Sequence, residues 1–462
     1  MSIDSHPARQ AFKAYDIRGR VPQELTPALY ERLGAAYAQV LHPQTVAVGY
    51  DIRLSSPELS AALIKGLTSQ GVNVQNVGLC GTEEIYFAVG HNQLDGGLMV
   101  TASHNPADYN GLKMVLAQSR PLTAETGLTA IRDLALSEQT LAAAPKHGKV
   151  QAIDIHPAFA KYALSLIDVD AIPPIKVLCN VGNGGANAVL QCLAPHLPIT
   201  MEVLHGEPDG TFPHGVPNPL LPECRQDTAA AVVASEAQLG AAWDGDFDRC
   251  FFFDEKGQFV EGYYVVALLA ERFMHSHPGA TIIHDPRLTW NTLEMVKRGG
   301  GNAVQSRTGH AFIKRSMREH QAVYGGEMSA HHYFSDFYFC DSGILTFLFM
   351  LELLGRAAKP LSELVVAMQQ SYPISGEINS RVEEPIEIVI ARLKERVRQR
   401  FGEPEREDST DGLSWEYRDF RFNVRSSSTE PLVRLNVESR GNRQLVDDVT
   451  AYLLQAIRAQ KS

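Results

Sequence analysis

Thr101-Ala102-Ser103-His104-Asn105-Pro106 follows directly on Gly97–Val100, an apolar run of strand length, and places a lone serine in a polar turn at the strand's end. A serine so placed is positioned like a nucleophile, although an isolated serine in a turn is more commonly a cap or turn residue. About 140 residues on, Asp244-Gly245-Asp246-Phe247-Asp248-Arg249 carries three alternate carboxylates beside an arginine. The strand-like Gly240–Trp243 leads into that loop, and Cys250–Asp254 resumes extended structure after it. Alternate carboxylates on an extended loop turn inward together and offer oxygen ligands to a hard cation, with small Gly245 permitting tight curvature. Serine plus a divalent cation points to phosphoryl transfer.

Outward from these loops, strand and helix patterns alternate. Val46–Gly49 is followed by a helix that starts at Ser56-Pro57 and stops before Gly71, then by Val72–Val77. Ile175–Cys179 runs through Gly182-Asn183-Gly184-Gly185 into a helix; the third glycine of a dinucleotide fingerprint is missing, so this is a strand-to-helix turn. After Tyr372-Pro373 the pattern changes to Trp415, Tyr417, Phe420, Phe422 and Val424 at strand spacing, then Val433, Leu435 and Val437, and an amphipathic helix from Leu445. The reading is α/β for most of the chain with a C-terminal α+β domain. It divides the chain into 1–148, 149–252, 253–368 and 369–462.

The 462 residues, 44% of them apolar, suffice for several domains with cores of their own. A net charge of −11, without any Lys/Arg track, excludes a nucleic-acid surface. Met1–Tyr15 is polar and lacks the apolar core of a signal peptide, and Ile344–Leu354, which contains Glu352, is too short to span a membrane and reads as a buried helix. The expectation is a cytoplasmic protein without membrane partners. The six cysteines form no C-x-x-C pair, and neither disulfides nor zinc are expected.

Two rival readings stay open at this level. Asp244, Asp246, Asp248 and Glu255 fall at the first, third, fifth and twelfth places of an EF-hand loop, which would make this a non-catalytic calcium- or sugar-phosphate-binding protein; Arg249 at the sixth place, where glycine is needed, opposes it. Alternatively, Asp244 opens an Asp-x-Asp sequence of the kind used by aspartate-nucleophile phosphatases.

Four stretches together resemble the signature loops of the α-D-phosphohexomutases, in that family's order: Thr101–Pro106, Asp244–Arg249, Gly326-Glu327-Met328-Ser329 and Arg425-Ser426-Ser427-Ser428-Thr429-Glu430-Pro431. The segment Phe12-Lys13-Ala14-Tyr15-Asp16-Ile17-Arg18-Gly19 is most similar to bacterial phosphomannomutases, some of which also isomerise glucose phosphates. The resemblance implies three related α/β domains with mixed sheets plus a C-terminal α+β domain around a central cleft. It implies a phosphoserine at Ser103, and one Mg2+ per active site held by Asp244, Asp246, Asp248 and the phosphorylated Ser103. Lys113, Arg18, His331 and His104 become catalytic candidates. Tyr15, Arg249, Arg287 and His310 become substrate contacts, the Arg287 side chain having a structural salt bridge as its alternative. Glu327 and Ser329 would hold sugar O3 and O4. Arg425, Ser427, Ser428 and Thr429 would bind the distal phosphate, although Ser428 stands where relatives often carry glycine or asparagine. Arg434, farther down the next strand, is open to two readings, added charge at that site or, preferred, an exposed strand arginine. The substrate implied is a phosphohexose, the intermediate and activator a hexose 1,6-bisphosphate, the gate a rotation of the C-terminal domain, and the assembly a monomer or weak homodimer.

Overall fold

The computed structural model describes residues 6–426 and 432–458. The chain divides into two compact units, Met1–Phe259 with His331–Ala358, and Val260–Ala330 with Lys359–Ser462.

In the first unit, a mixed sheet is built on the parallel strands Thr45–Tyr50, Asn73–Leu79 and Gly96–Val100, as the apolar runs predict. Thr45–Tyr50 and Gly96–Val100 lie in the sheet interior and read as near-continuous apolar runs because both faces are covered. Gly96–Val100 then pairs antiparallel with Tyr109–Leu116, so residues 101–108 form the connection of a long hairpin. Asp16–Arg20 adds antiparallel on the far side, with Arg18 opposite Gly111 and Asp16 opposite Lys113. Val150–Ala152 joins the opposite edge, parallel to Asn73–Leu79. A second mixed sheet sets Leu239–Trp243 parallel to Lys176–Asn180 and antiparallel to Cys250–Phe253. The pair Trp243 and Cys250 closes the ladder, and the Asp loop is therefore a hairpin tip fixed at both ends. The helix Gly343–Ala357 is buried for most of its length, as expected from its apolar run, with Ser342 as N-cap.

In the second unit, Thr281–His284 lies between the parallel partners Asn302–Gln305 and Tyr324–Gly326. The C-terminal part is an antiparallel sheet in which Leu432–Ser439 pairs with both Ile378–Arg381 and Phe420–Ser426. Trp415, Phe422, Val424, Val433, Leu435 and Val437 point to one face. Against it pack Val389, Leu393 and Val397 of helix Ile386–Phe401 and Val446, Val449 and Leu453 of helix Arg443–Arg458, at the three- and four-residue spacing of a helix stripe. This is the α+β unit expected from the change of period. Among the described residues, no helix is long and apolar enough to cross a membrane.

Candidate active site

The two hairpin tips of the first unit meet. Ser103 sits in the left-handed region, φ 49°, and its N–H donates to Thr101 Oγ1 at 2.8 Å. The loop around it is clasped by buried Arg53, which donates to the carbonyl oxygens of Ser103, Asn105, Pro106 and Tyr109 at 2.6–2.9 Å while its charge is balanced by Asp51, 3.2 Å away. Such over-determination is what holds a non-glycine residue at positive φ. Gly245 passes so close that a Cβ there would stand 2.5 Å from the Ser103 carbonyl oxygen. This close approach is the reason the tip needs glycine.

Ser103 Oγ donates to Asp244 Oδ2 at 2.8 Å, and the same carboxylate takes both Nε and NH2 of Arg249 at 2.9 and 2.6 Å. Arg249 also reaches His104 Nδ1 at 2.5 Å, and that nitrogen lies 3.0 Å from Ser103 Oγ. Arg249 is thus buried against the serine. Lys113, from the second strand of the Ser103 hairpin, bridges Asp246 and Asp248 at 2.7 and 2.5 Å, and Thr82 Oγ1 donates to Asp246 at 2.6 Å. Arg18, on the adjacent strand, pairs with Asp16 at 2.8 Å and donates to Asn105 Oδ1 at 2.7 Å, so it braces the loop from below. His331 Nε2 lies 3.7 Å from Asp248 Oδ1 and 3.9 Å from Asp341 Oδ2, with its ring stacked on Tyr333. Ser103, Lys113, Arg18, His104 and His331 are therefore gathered around the Asp loop; Tyr15, half-buried, immediately precedes the Arg18 strand.

Burial sets the electrostatics here, because three carboxylates with exposures of 2% or less cannot rely on water. Burial would raise Asp246, but the Lys113 charge and the bonds from Lys113 and Thr82 outweigh it and hold this carboxyl below the usual range. Asp248 goes the other way, raised by burial and by the charge of Asp246. Lys113 stays charged: burial alone would lower it, yet Asp246 and Asp248 push it up. His104 is kept neutral by burial and by the charges of Arg249 and Arg18.

The site also fits a divalent cation. Oxygens of Asp244, Asp246 and Asp248 lie within 4.8 Å of one another, and Oδ1 of both Asp246 and Asp248 is buried without accepting a hydrogen bond. Unmatched buried carboxylate oxygens are costly unless a cation takes them, and an all-oxygen donor set suits magnesium or calcium. One other group among the described residues, Asp248 with His331 and Asp341, has similar spacing and shares Asp248.

A separate polar cluster lies in the second unit. Arg287 is buried and forked onto Asp285 at 2.6 and 3.1 Å, as a structural salt bridge would be, yet its NH2 also reaches Ser329 Oγ at 3.3 Å and Glu327 Oε1 at 4.0 Å. Glu327 accepts from the Gly309 N–H at 2.8 Å, which ties it to the loop ahead of His310, a half-buried residue at the start of helix His310–His320. Arg425 lies opposite Arg434 across the ladder, and both bind Glu377, at 3.1 and 3.2 Å. Arg434 is 28% exposed and paired, which corrects the preferred reading of an exposed strand arginine and places its charge beside Arg425: the cross-strand register, invisible in a linear pattern, turns it toward Glu377. Glu377 carried no signal in the sequence. Ser427, Ser428 and Thr429 lie outside the described residues.

A buried serine hydroxyl, a charged lysine and a cation-ready carboxylate trio on two touching hairpin tips form a centre suited to phosphoryl transfer by positioning and charge stabilisation. The chain belongs to the phosphoglucomutase/phosphomannomutase family. Family models match domain I (alpha/beta/alpha) over residues 9–141, domain II over 157–257, domain III over 261–372 and the C-terminal domain over 377–456. The chain is 50% identical over 454 residues to a protein named phosphomannomutase from Salmonella montevideo, covering 97% of this chain and 99% of that one. It is 49% identical to a protein named phosphohexose mutases from Xanthomonas campestris pv. campestris, covering 97% and 99%. A solved phosphoglucomutase/phosphomannomutase family protein from Burkholderia thailandensis superposes with a TM-score of 0.86 at 30% identity, covering 98% of each chain. The architecture is thus the four-domain one of this family.

Proposed function

We propose that the protein acts as a phosphomannomutase, interconverting mannose 6-phosphate and mannose 1-phosphate through a phosphoserine at Ser103 and a hexose 1,6-bisphosphate, with glucose phosphates as further substrates. The observation that carries the reading is the Ser103 hydroxyl set 2.8 Å from Asp244 inside the carboxylate trio, in a chain half identical to named phosphomannomutases. A sugar hydroxyl attacks the phosphorus on Ser103; the bond from phosphorus to Oγ breaks as the bond to the sugar oxygen forms. The proton of that hydroxyl passes to a neighbouring base, for which neutral His104 and the partly exposed His331 are the candidates. The bisphosphate then returns its other phosphoryl group to Ser103, the base gives its proton back to the sugar oxygen that is freed, and the isomer leaves.

Asp244, Asp246 and Asp248, with the phosphorylated Ser103, would hold magnesium, which supplies charge stabilisation to the transferring group. Lys113 and Arg18 add fixed positive charge beside it, and Arg249 orders Asp244 and reaches the serine. Glu327 and Ser329 are assigned to sugar hydroxyls, Tyr15 and His310 to the substrate's flank, and Arg287 and Arg425 with Ser427, Ser428 and Thr429 to the distal phosphate. A hexose 1,6-bisphosphate primes the enzyme, which works in the cytoplasm as a monomer or weak dimer. The domain limits assigned are 1–148, 149–252, 253–368 and 369–462. An aspartyl nucleophile is disfavoured, because the Asp244 oxygen nearest the serine already accepts from Ser103 and from two nitrogens of Arg249.

Phosphorus NMR of mannose 1-phosphate with the protein, magnesium and a trace of bisphosphate tests the reading. Growth of a 6-phosphate resonance at constant total sugar phosphate is expected. Release of inorganic phosphate instead would make the protein a phosphatase.

A further inference from the structure

The register of the C-terminal sheet sets Arg425 directly opposite Arg434. Like charges facing across an antiparallel pair destabilise it. Arg287 adds a third guanidinium, 3.6 Å from Glu377, the residue just ahead of strand Ile378–Arg381. One carboxylate thus serves three arginines, at 3.1, 3.2 and 3.6 Å. Burial would raise Glu377, but the charges of Arg287, Arg425 and Arg434 outweigh it and keep the carboxylate ionised. The exchange is incomplete: Nε of Arg425 and of Arg434 are buried and donate no hydrogen bond. Two donors are left for a ligand, and guanidinium N–H groups are good partners for the oxygens of a phosphate.

We infer that Glu377 is an internal anion that holds the phosphate-binding arginines together and yields them to the phosphate of the substrate. This rests on the assignment of Arg425 and Arg287 to the distal phosphate. The advantage is kinetic. A mutase must let go of one phosphate of its bisphosphate and take hold of the other in every turnover. Without Glu377, Arg425 and Arg434 would face each other with Asp411, 3.9 Å from Arg425, as the counter-ion left among the described residues, and Arg287 with Asp285 and, at 4.0 Å, Glu327, so the cluster would repel itself more when empty and hold phosphate more firmly. A resident carboxylate stabilises the empty state, so the grip on phosphate loosens and exchange is faster. Glu377 is accordingly a positioning residue that acts through the arginines.

The test measures binding of inorganic phosphate to the full-length protein by calorimetry, which requires no turnover and reports even if the protein proves not to be a mutase. Glu377→Gln is expected to bind phosphate at least about tenfold more tightly than the parent, because the competing charge is gone. It should also melt earlier without phosphate and gain more thermal stability from it. Adding Arg434→Gln to the same variant should abolish the gain, which locates it at this cluster and not at the serine. In mutase assays, KM and kcat should fall together in Glu377→Gln, and Glu377→Asp, which keeps the charge, should restore both toward the parent. Should Glu377→Gln not fold, Glu377→Asp draws the carboxylate back by a methylene and should bind phosphate more tightly by a smaller factor. A folded Glu377 variant with unchanged or weaker phosphate affinity overturns the inference and leaves Glu377 as a strut.

Discussion

Replacing Gly245 by alanine adds one methyl group at the point where the Ser103 loop and the Asp loop touch. Its carbon would stand 2.5 Å from the Ser103 carbonyl oxygen and 3.3 Å from the carbonyl carbon, whereas ordinary contact begins near 3.4 Å. The two tips must therefore part by roughly 0.9 Å, the difference of those distances. Neither side yields easily. The Ser103 carbonyl is held by Arg53 at 2.8 Å, and the Asp loop is closed by the Trp243–Cys250 pair at its base. The displacement falls on the contacts between the tips, Ser103 Oγ to Asp244 at 2.8 Å and Lys113 to Asp246 and Asp248. Overpacking of this kind costs about 1–3 kcal/mol of stability, while a misplacement near 1 Å between reacting groups costs on the order of a hundredfold in rate. Gly245→Ala is expected to lose about a hundredfold in kcat with a modest fall in melting temperature. The assay is steady-state conversion of mannose 1-phosphate beside a thermal melt of the same preparation. A folded Gly245→Ala protein with kcat within about twofold of the parent would refute the view that the Ser103 and Asp loops must touch for turnover.

Ser103→Ala should abolish turnover, by at least about a thousandfold, with an unchanged circular dichroism spectrum; residual mutase activity near the parent would sink the phosphoserine. Chelation should remove activity and magnesium restore it, and Asp246→Asn should weaken magnesium binding at least about tenfold in a direct titration; unaltered affinity would remove Asp246 from the ligand set. Arg53→Met leaves Asp51 buried without its partner and frees four loop carbonyls, so a loss of about 3–5 kcal/mol is expected, read by denaturant unfolding. His156 donates to Glu84 at 2.6 Å; that hydrogen bond, against an opposing effect of burial, raises His156 above the ordinary 6.5. Because the folded pKa is the higher one, the stability from this pair is fully present below 6.5 and is lost as pH rises through the folded value. The difference in melting temperature between the parent and His156→Gln should accordingly shrink as pH is raised; a constant or growing difference refutes the pairing.

What could be read in the sequence is what the chain writes locally. The Ser103 turn and the alternating aspartates each lie within six residues, and strand patterns on both sides mark them as loop tips. The buried helix Gly343–Ala357 and the alternation of Val433, Leu435 and Val437 were legible for the same reason: burial has a period of its own. What escaped depends on register and on distant pairing. Val150–Ala152 is short and exposed and is a strand only because Asn73–Leu79 offers it an edge. Arg434 follows a strand rhythm that cannot say which neighbour it faces, and Glu377 precedes a four-residue strand with no motif around it. The grouping of Asp248 with His331 and Asp341 likewise joins residues more than eighty positions apart, which no local pattern announces.

The charges of the two clusters follow one logic. Around Ser103, three carboxylates face Lys113 and Arg249, since Arg18 and Arg53 each have a carboxylate of their own in Asp16 and Asp51. The balance is one negative charge, and two carboxylate oxygens are unmatched. A divalent cation reverses the sign, and a phosphoryl group on the serine returns it close to where it began. Around Glu377, Arg425 and Arg434 share one carboxylate at close range, while Arg287 is largely offset by Asp285 and Asp411 lies 3.9 Å from Arg425, and here two N–H donors make no hydrogen bond. A phosphate, the ligand proposed for this cluster, would supply what is missing. Each cluster is stable enough to form before its ligand arrives, because resident charges of opposite sign keep the cost of burial bounded, and each keeps open the donors or acceptors its ligand needs. On the proposed function, preorganisation of that kind would keep binding reversible through the charge balance, which is what a reaction that must exchange its two phosphates requires.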